Sequence, residues 1–342
     1  DQGSFFSYLL KDLCKVNHLN NLQAIQYSNS SKSSRSYNRY SSDVIIIVPS
    51  EYEANNLYND LHTIYPESQV YVFPSWGVVP YRAAAKGSIV FGKRAGVLSK
   101  LTQRVELITT EEKSRIFIFT QKAFISQLPP PQYLSSFTIN LKKGDKIDTQ
   151  KIANQLTKLG YIRVSRVNVR GEFSLRGEVL DIFLPLDEYP TRIIFDFDEI
   201  EDFKEFETDS QTTVGKKENL TIYPMKENLW NEKFIEKLEN KLTEYQNNSI
   251  GNESNDNFSV IDNVHLSFTE KALEHKTQVI NQLKISKEAE SEEFYYSLLW
   301  DEKYSILDYI DDSSLVLFFD YDKMVNANVA INREYSGIYR KA

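Results

Sequence analysis

Apolar residues in the first third of the chain come in two rhythms. Val44 to Val48 is an unbroken V-I-I-I-V run, the pattern of a strand buried on both faces. Ser50 and Glu53 follow at the spacing of a capping box. Leu57 and Leu61 then predict a helix with one apolar side. The alternation repeats: Gln69 to Phe73 reads as a second strand, Ser88 to Leu101 as a helix, and Arg115 to Thr120 (R-I-F-I-F-T) as a third strand. Upstream, residues 4–17 read as a helix with Phe5, Leu9, Leu13 and Val16 near one face. Leu22 to Ile25 reads as a short strand and the polar stretch Ser28 to Ser42 as a loop. Short strands separated by helices predict a parallel sheet.

Pro129, Pro130 and Pro131 break this rhythm and read as a hinge. Beyond them the period becomes two, over Phe137 to Leu141, Arg163 to Val169, Glu172 to Phe183 and Thr191 to Phe197. One helix, Thr149 to Leu159, lies among these strands. Past Tyr223 and Pro224 helical spacing returns over Glu232 to Leu242 and Glu270 to Leu283, around an Asn/Ser-rich loop from Asn247 to Asn257. Leu315 to Phe319 (L-V-L-F-F) is a last buried-strand pattern. The expected organisation is an α/β domain formed by residues 1–134 and completed by 223–342, with an α+β domain, 135–222, inserted between them.

Composition narrows the chemistry. The 342 residues carry a net charge of -8, which speaks against a chain whose main task is gripping nucleic acid. Only 12 glycines are present, too few for several phosphate-cradling loops. Cys14 is the single cysteine, so no intramolecular disulfide forms and a reducing, cytoplasmic setting is expected. No apolar run reaches membrane-spanning length. His18, His62, His265 and His275 show no ligand spacing, so neither a metal nor any other cofactor is expected. The acidic run Asp196 to Asp202 reads as a solvated turn or a salt-bridge partner of Lys204.

Alternation assigns faces within the inserted domain. Phe173, Leu175, Val179 and Phe183 fall on one side of their strand, and Ser174, Arg176 and Glu178 on the other. In the next strand Ile193, Phe195 and Phe197 share a face, opposite Arg192, Ile194 and Asp196. Two adjacent strands would thus bring Arg176 and Arg192 to one exposed surface. Arginine forks suit interface hot spots, although solvated sheet-face arginines give the same pattern.

Three stretches, in order along the chain, carry a resemblance. Phe73 to Arg82 reads F-P-S-W-G-V-V-P-Y-R. Gly171 to Phe183 reads G-E-F-S-L-R-G-E-V-L-D-I-F, followed by Arg192-Ile193-Ile194-Phe195 and Asp198-Glu199-Ile200-Glu201. Ser305 to Asp320 reads S-I-L-D-Y-I-D-D-S-S-L-V-L-F-F-D. Together they resemble the N-terminal, UvrB-like module of bacterial transcription-repair coupling factors (Mfd). The resemblance implies a degenerate helicase-like (P-loop-type) α/β domain carrying an inserted α+β domain that binds UvrA. It implies that Arg176 and Arg192, with Glu178, Phe195 and Asp196, form that surface. RNA polymerase and DNA would be engaged by other domains of the parent protein, an ATP-dependent translocase. One departure stands out: the family usually has two consecutive aromatics here, whereas this chain reads Phe195-Asp196-Phe197. The outward position becomes Asp196, so an apolar anchor is missing there or supplied elsewhere.

A working nucleotide site is not expected. Gln26 to Ser33 matches the spacing of a phosphate-binding loop, with Lys32 and Ser33 in place. Gln26 and Ser31 stand where glycines belong, and a Cβ at each would obstruct the cradle. The segment reads as a decayed loop or as coincidence in a serine-rich stretch. The last buried strand ends in Asp320-Tyr321, one carboxylate where a helicase needs a pair. The long tyrosine-rich hairpin of UvrB has no room between Trp76 and Ile89. The expectation is an adaptor without catalysis. The alternative is a UvrB-like, ATP-dependent DNA-repair helicase fragment that binds nucleotide or DNA.

Overall fold

The computed structural model describes residues 10, 13, 43–66, 69–76, 88–103, 115–251, 262–312 and 314–339. The first strand, β1 (Val44–Val48), pairs in parallel with β3 (Arg115–Thr120), and β3 pairs in parallel with β2 (Gln69–Phe73). On its other side β1 pairs in parallel with β12 (Leu315–Phe318). The sheet order is β12-β1-β3-β2, so strands far apart in sequence complete one sheet. Every residue of β1 and β3 is buried because both faces are covered. Val44, Ile46, Val48, Ile116 and Ile118 meet Ala54, Leu57 and Leu61 of α1 (Glu51–Ile64). Ile45, Phe117 and Phe119 meet Val97, Leu98 and Leu101 of α2 (Ser88–Thr102).

Local chemistry sets the element ends. The Ser50 hydroxyl accepts from the Tyr52 amide and donates to Glu53, capping α1. The hydroxyl of Thr120 caps the short helix α3 (Gln121–Phe124). Arg115 is clamped beneath the sheet by Asp43, at 2.7 and 2.5 Å, and by the carbonyls of Lys100 and Gln103. The triple proline, read as a hinge, leads straight into a helix. Pro131 opens α4 (Pro131–Ser136) at the position where a missing N–H costs nothing, and the Pro129 carbonyl accepts from the buried Tyr309 hydroxyl at 2.7 Å.

The inserted domain begins and ends on one antiparallel pair, β4 (Ile139–Lys142) with β11 (Asn219–Ile222). Between them lie α5 (Thr149–Lys158), capped by Asp148, and a six-stranded sheet ordered β10-β9-β8-β7-β6-β5. In chain order these strands are β5 (Ile162–Arg163), β6 (Glu172–Arg176), β7 (Val179–Ile182), β8 (Thr191–Asp196), β9 (Glu199–Phe206) and β10 (Thr213–Lys217). One sheet face packs Phe173, Leu180, Ile182, Ile193, Phe195 and Phe203 against Ile152, Ala153 and Leu156 of the helix.

Several expectations change here. The predicted strand over Arg163 to Val169 stops at Arg163. The Glu172 carboxylate takes the Asn168 and Val169 amides at 2.8 and 2.9 Å, so these donors are not free for a ladder. The acidic run Asp196 to Asp202 becomes a hairpin and the start of β9, and its cationic partners are Lys143 and Lys216 on Asp202. The loop expected from Asn247 is helical as far as Gly251, within α6 (Glu232–Gly251). The following helix, α7, spans Asp262–Ser286, and a further helix, α8 (Tyr321–Tyr339), follows β12.

The two domains join through a close-packed seam. A Cβ on Gly92 of α2 would lie 2.7 Å from Pro185, and one on Gly96 would lie 2.7 Å from Tyr223 and 2.8 Å from Leu186. The bare helix surface therefore lets the inserted domain approach. Between these glycines Arg94 is wholly buried, bonded to Glu227 at 2.6 Å, to the Pro74 carbonyl at 2.7 Å and to Ser126 at 3.1 Å. Its guanidinium lies over the rings of Phe73 and Trp76. Burial lowers the Arg94 pKa and raises that of Glu227, and each charge opposes the other's shift.

Candidate protein-docking site

The face of the six-stranded sheet away from the core carries the candidate site. Strand register builds it row by row. Ser174, Asp181, Arg192 and Lys204 stand side by side across four strands, and Arg176, Val179, Ile194 and Asp202 form the next row. Arg176 and Arg192 do share this surface. They lie on β6 and β8, which are not adjacent: β7 runs between them and supplies Asp181.

Asp181 organises both arginines. Its buried carboxylate accepts from Arg192 Nε at 2.7 Å, from Arg192 Nη2 at 3.0 Å and from Arg176 Nη2 at 2.9 Å. Arg192 is held further by Gln211 Oε1 at 2.9 Å and lies 4.4 Å over the Phe206 ring. The bond to Asp181 raises the Arg192 pKa. The Arg192 side chain is 23% exposed and that of Arg176 51%, so Arg192 is the fixed member and Arg176 the one that reaches outward. Two guanidinium charges share one carboxylate. The cluster keeps one positive charge for an acidic group of a partner, with donors already oriented.

The remaining predicted docking residues separate. Glu178 is exposed in the tight turn between β6 and β7, and its carbonyl accepts from the Phe195 amide at 2.9 Å. Asp196 is exposed at the end of β8, opposite Glu199. Phe195 is the correction. It is 2% exposed and packed into the core, because strand alternation turns it away from Arg192, so its ring is not on the docking face. Val179 changes side as well. The two-residue turn at Gly177 and Glu178 reverses the phase, placing Val179 beside Arg176 rather than with Phe173, while Phe183 lies beneath Arg170. Phe197 does not continue the face of Ile193 and Phe195. It sits in the next hairpin turn at φ 55 and is 82% exposed.

Sequence reasoning found both arginines but missed Asp181, Gln211 and Phe206, which position them. The available signal for Asp181 was a lone acid inside the apolar run V-L-D-I-F, since a charge there needs a partner.

Of the decayed nucleotide loop, Gln26, Ser31, Lys32 and Ser33 lie outside the described residues. Asp320 is described, at φ 56. Its carboxylate accepts from the Lys323 amide at 3.2 Å and pairs with the Lys323 ammonium at 3.3 Å, so it caps α8. Among the described residues no group of three or more potential metal ligands assembles, and no helix is long and apolar enough to cross a membrane. A cleft of about 840 Å³ opens where the inserted domain meets α6, lined by Lys158, Tyr161, Lys226, Trp230 and Lys287 among others. It shares no residue with the arginine face.

Comparison with known proteins gives the class first. Residues 139–228 match the UvrB interaction domain family, and they lie next to a parallel α/β sheet of UvrB-like, helicase-like arrangement. The relatives are more particular. The chain is similar to transcription-repair-coupling factors, 26% identical over 260 residues to that of Borreliella burgdorferi, covering 75% of this chain and 19% of that protein. It is 29% identical over 194 residues to that of Rickettsia bellii, covering 56% and 16%, and 27% identical over 212 residues to that of Staphylococcus aureus, covering 62% and 17%. The chain thus spans less than a fifth of the length of these relatives.

Proposed function

We propose that the inserted domain is a docking module that recruits the repair protein UvrA, and that this chain acts as an adaptor without catalysis of its own. The parent protein would couple stalled RNA polymerase to nucleotide excision repair, with polymerase and DNA bound by other domains. The observation that carries this reading is the arginine cluster: Arg192 is locked by Asp181, Gln211 and Phe206, Arg176 is half-exposed beside it, and one positive charge is left over. A merely solvated sheet face does not need a buried carboxylate to hold its arginines in register. The match of residues 139–228 to a domain named for interaction supports the same reading.

The test is calorimetric titration of the chain against UvrA of its own organism, without nucleotide. Wild type is expected to bind, and Arg176→Ala and Arg192→Ala are each expected to lose about 1–3 kcal/mol, as hot-spot arginines do. A folded wild type that fails to bind UvrA overturns the reading.

A further inference from the structure

We propose that Phe197 is the apolar anchor of the docking face and inserts into a socket on the partner rimmed by basic side chains. This rests on the docking role proposed above.

Phe197 and Asp198 form the two-residue turn between β8 and β9, in which Asp196 pairs with Glu199. Phe197 alone of the pair has positive φ, and a turn of that kind favours Gly, Asn or Asp at its first central position. An aromatic ring at φ 55 is an outlier for a bulky side chain. The ring is also 82% exposed, so the core gains little from it. Folding accounts for neither the residue type nor its position.

The turn is braced rather than loose. The Ile147 amide donates to the Asp198 carbonyl at 2.7 Å, the Gly144 amide to the Ile200 carbonyl at 2.9 Å, and the Ile200 amide to the Asp145 carbonyl at 2.9 Å. The ring therefore stands on a fixed base and loses little freedom on binding, as aromatic anchors do. Its place also fits. Val179 pairs with Ile194, and the Phe195 amide bonds the Glu178 carbonyl, which ties the tip beyond Arg176 to the base of the Phe197 turn. Arg176 and Phe197 thus belong to one end of one sheet. Along this hairpin Asp196, Asp198, Glu199 and Glu201 are all exposed and outnumber Lys146, which bridges to Glu199. Charge complementarity then asks for basic groups at the socket rim, opposite the acid that Arg176 seeks.

The experiment compares wild type with Phe197→Asn, a residue the turn accepts, by UvrA titration at two salt concentrations and by thermal unfolding. The expected result is affinity weakened about tenfold or more, with an unchanged or higher thermal midpoint because the strained residue is gone. The wild-type affinity should also fall as salt rises. If wild type binds and Phe197→Asn binds equally well, the anchor is overturned while the docking role stands. If the variant loses stability and binding together, the ring is structural and the anchor is again overturned. If wild type binds no UvrA, both proposals fall.

Discussion

Asp181 shows how much of a binding face one residue can hold. It bonds both arginines, and its own burial is tolerable only because they neutralise it. Asp181→Asn should leave two guanidiniums facing each other without a counter-charge. Since both are partly exposed to water, the expected loss is moderate, about 1–3 kcal/mol, read as a lower urea midpoint at unchanged slope. UvrA affinity should fall with it although Asp181 is buried. Arg176 and Arg192 were legible in the sequence because alternation reports which side a residue faces. Asp181 was not, because burial of a polar side chain depends on who stands across the next strand. Phe195 was misjudged for another reason: membership of the docking set came from the resemblance, while its own alternation already pointed inward.

At the scale of elements, the period of the pattern named most strands and helices correctly, and turns decided where the pattern failed. The strand read from Glu172 to Phe183 is two strands, and the turn at Gly177 moves Val179 to the other face. Strand β9 (E-I-E-D-F-K-E-F) was hidden by its acids. Its register shift against β8 sets Ile200 and Phe203 three apart on the core face, while Phe206 lies on the other face beneath Arg192, so no simple period shows. The glycines of α2 gave no periodic signal either, yet they form the seam. Gly96→Ala would place a Cβ 2.7 Å from the Tyr223 ring and 2.8 Å from Leu186. This overpacking is expected to cost about 1–3 kcal/mol in chemical denaturation, despite alanine's better helix propensity.

The whole molecule answers to alkali through its tyrosines. Burial raises Tyr71 and Tyr133 from 10.0 to about 12, and pushes Tyr161, Tyr223 and Tyr296 well above the usual value. A folded-state pKa above the unfolded one means that the folded chain holds these protons more tightly. The stability they contribute is complete below pH 10 and is lost as pH rises from 10 towards 12. The part of the tyrosinate absorbance that comes from these buried rings should therefore rise together with loss of near-ultraviolet dichroism, after the exposed tyrosines have contributed theirs. An absorbance rise complete while the fold is intact would contradict the burial. The parallel α/β sheet and the inserted α+β domain were legible as a change of period, but the pairing of β12 with β1 was not, because local pattern names a buried strand without naming its neighbour.

The neck formed by β4 and β11 has a kinetic consequence. For the parallel sheet, bringing β12 beside β1 means closing a loop that runs from Val48 to Leu315, a slow search for an open chain. Once the inserted domain has folded, Ile139 and Ile222 are paired neighbours, and the long excursion between them counts as a single short step. The effective loop shrinks before the last strand arrives. An inserted domain that folds first would therefore shorten the search for its host, and destabilising it is expected to slow formation of the sheet it interrupts, read as a slower refolding rate.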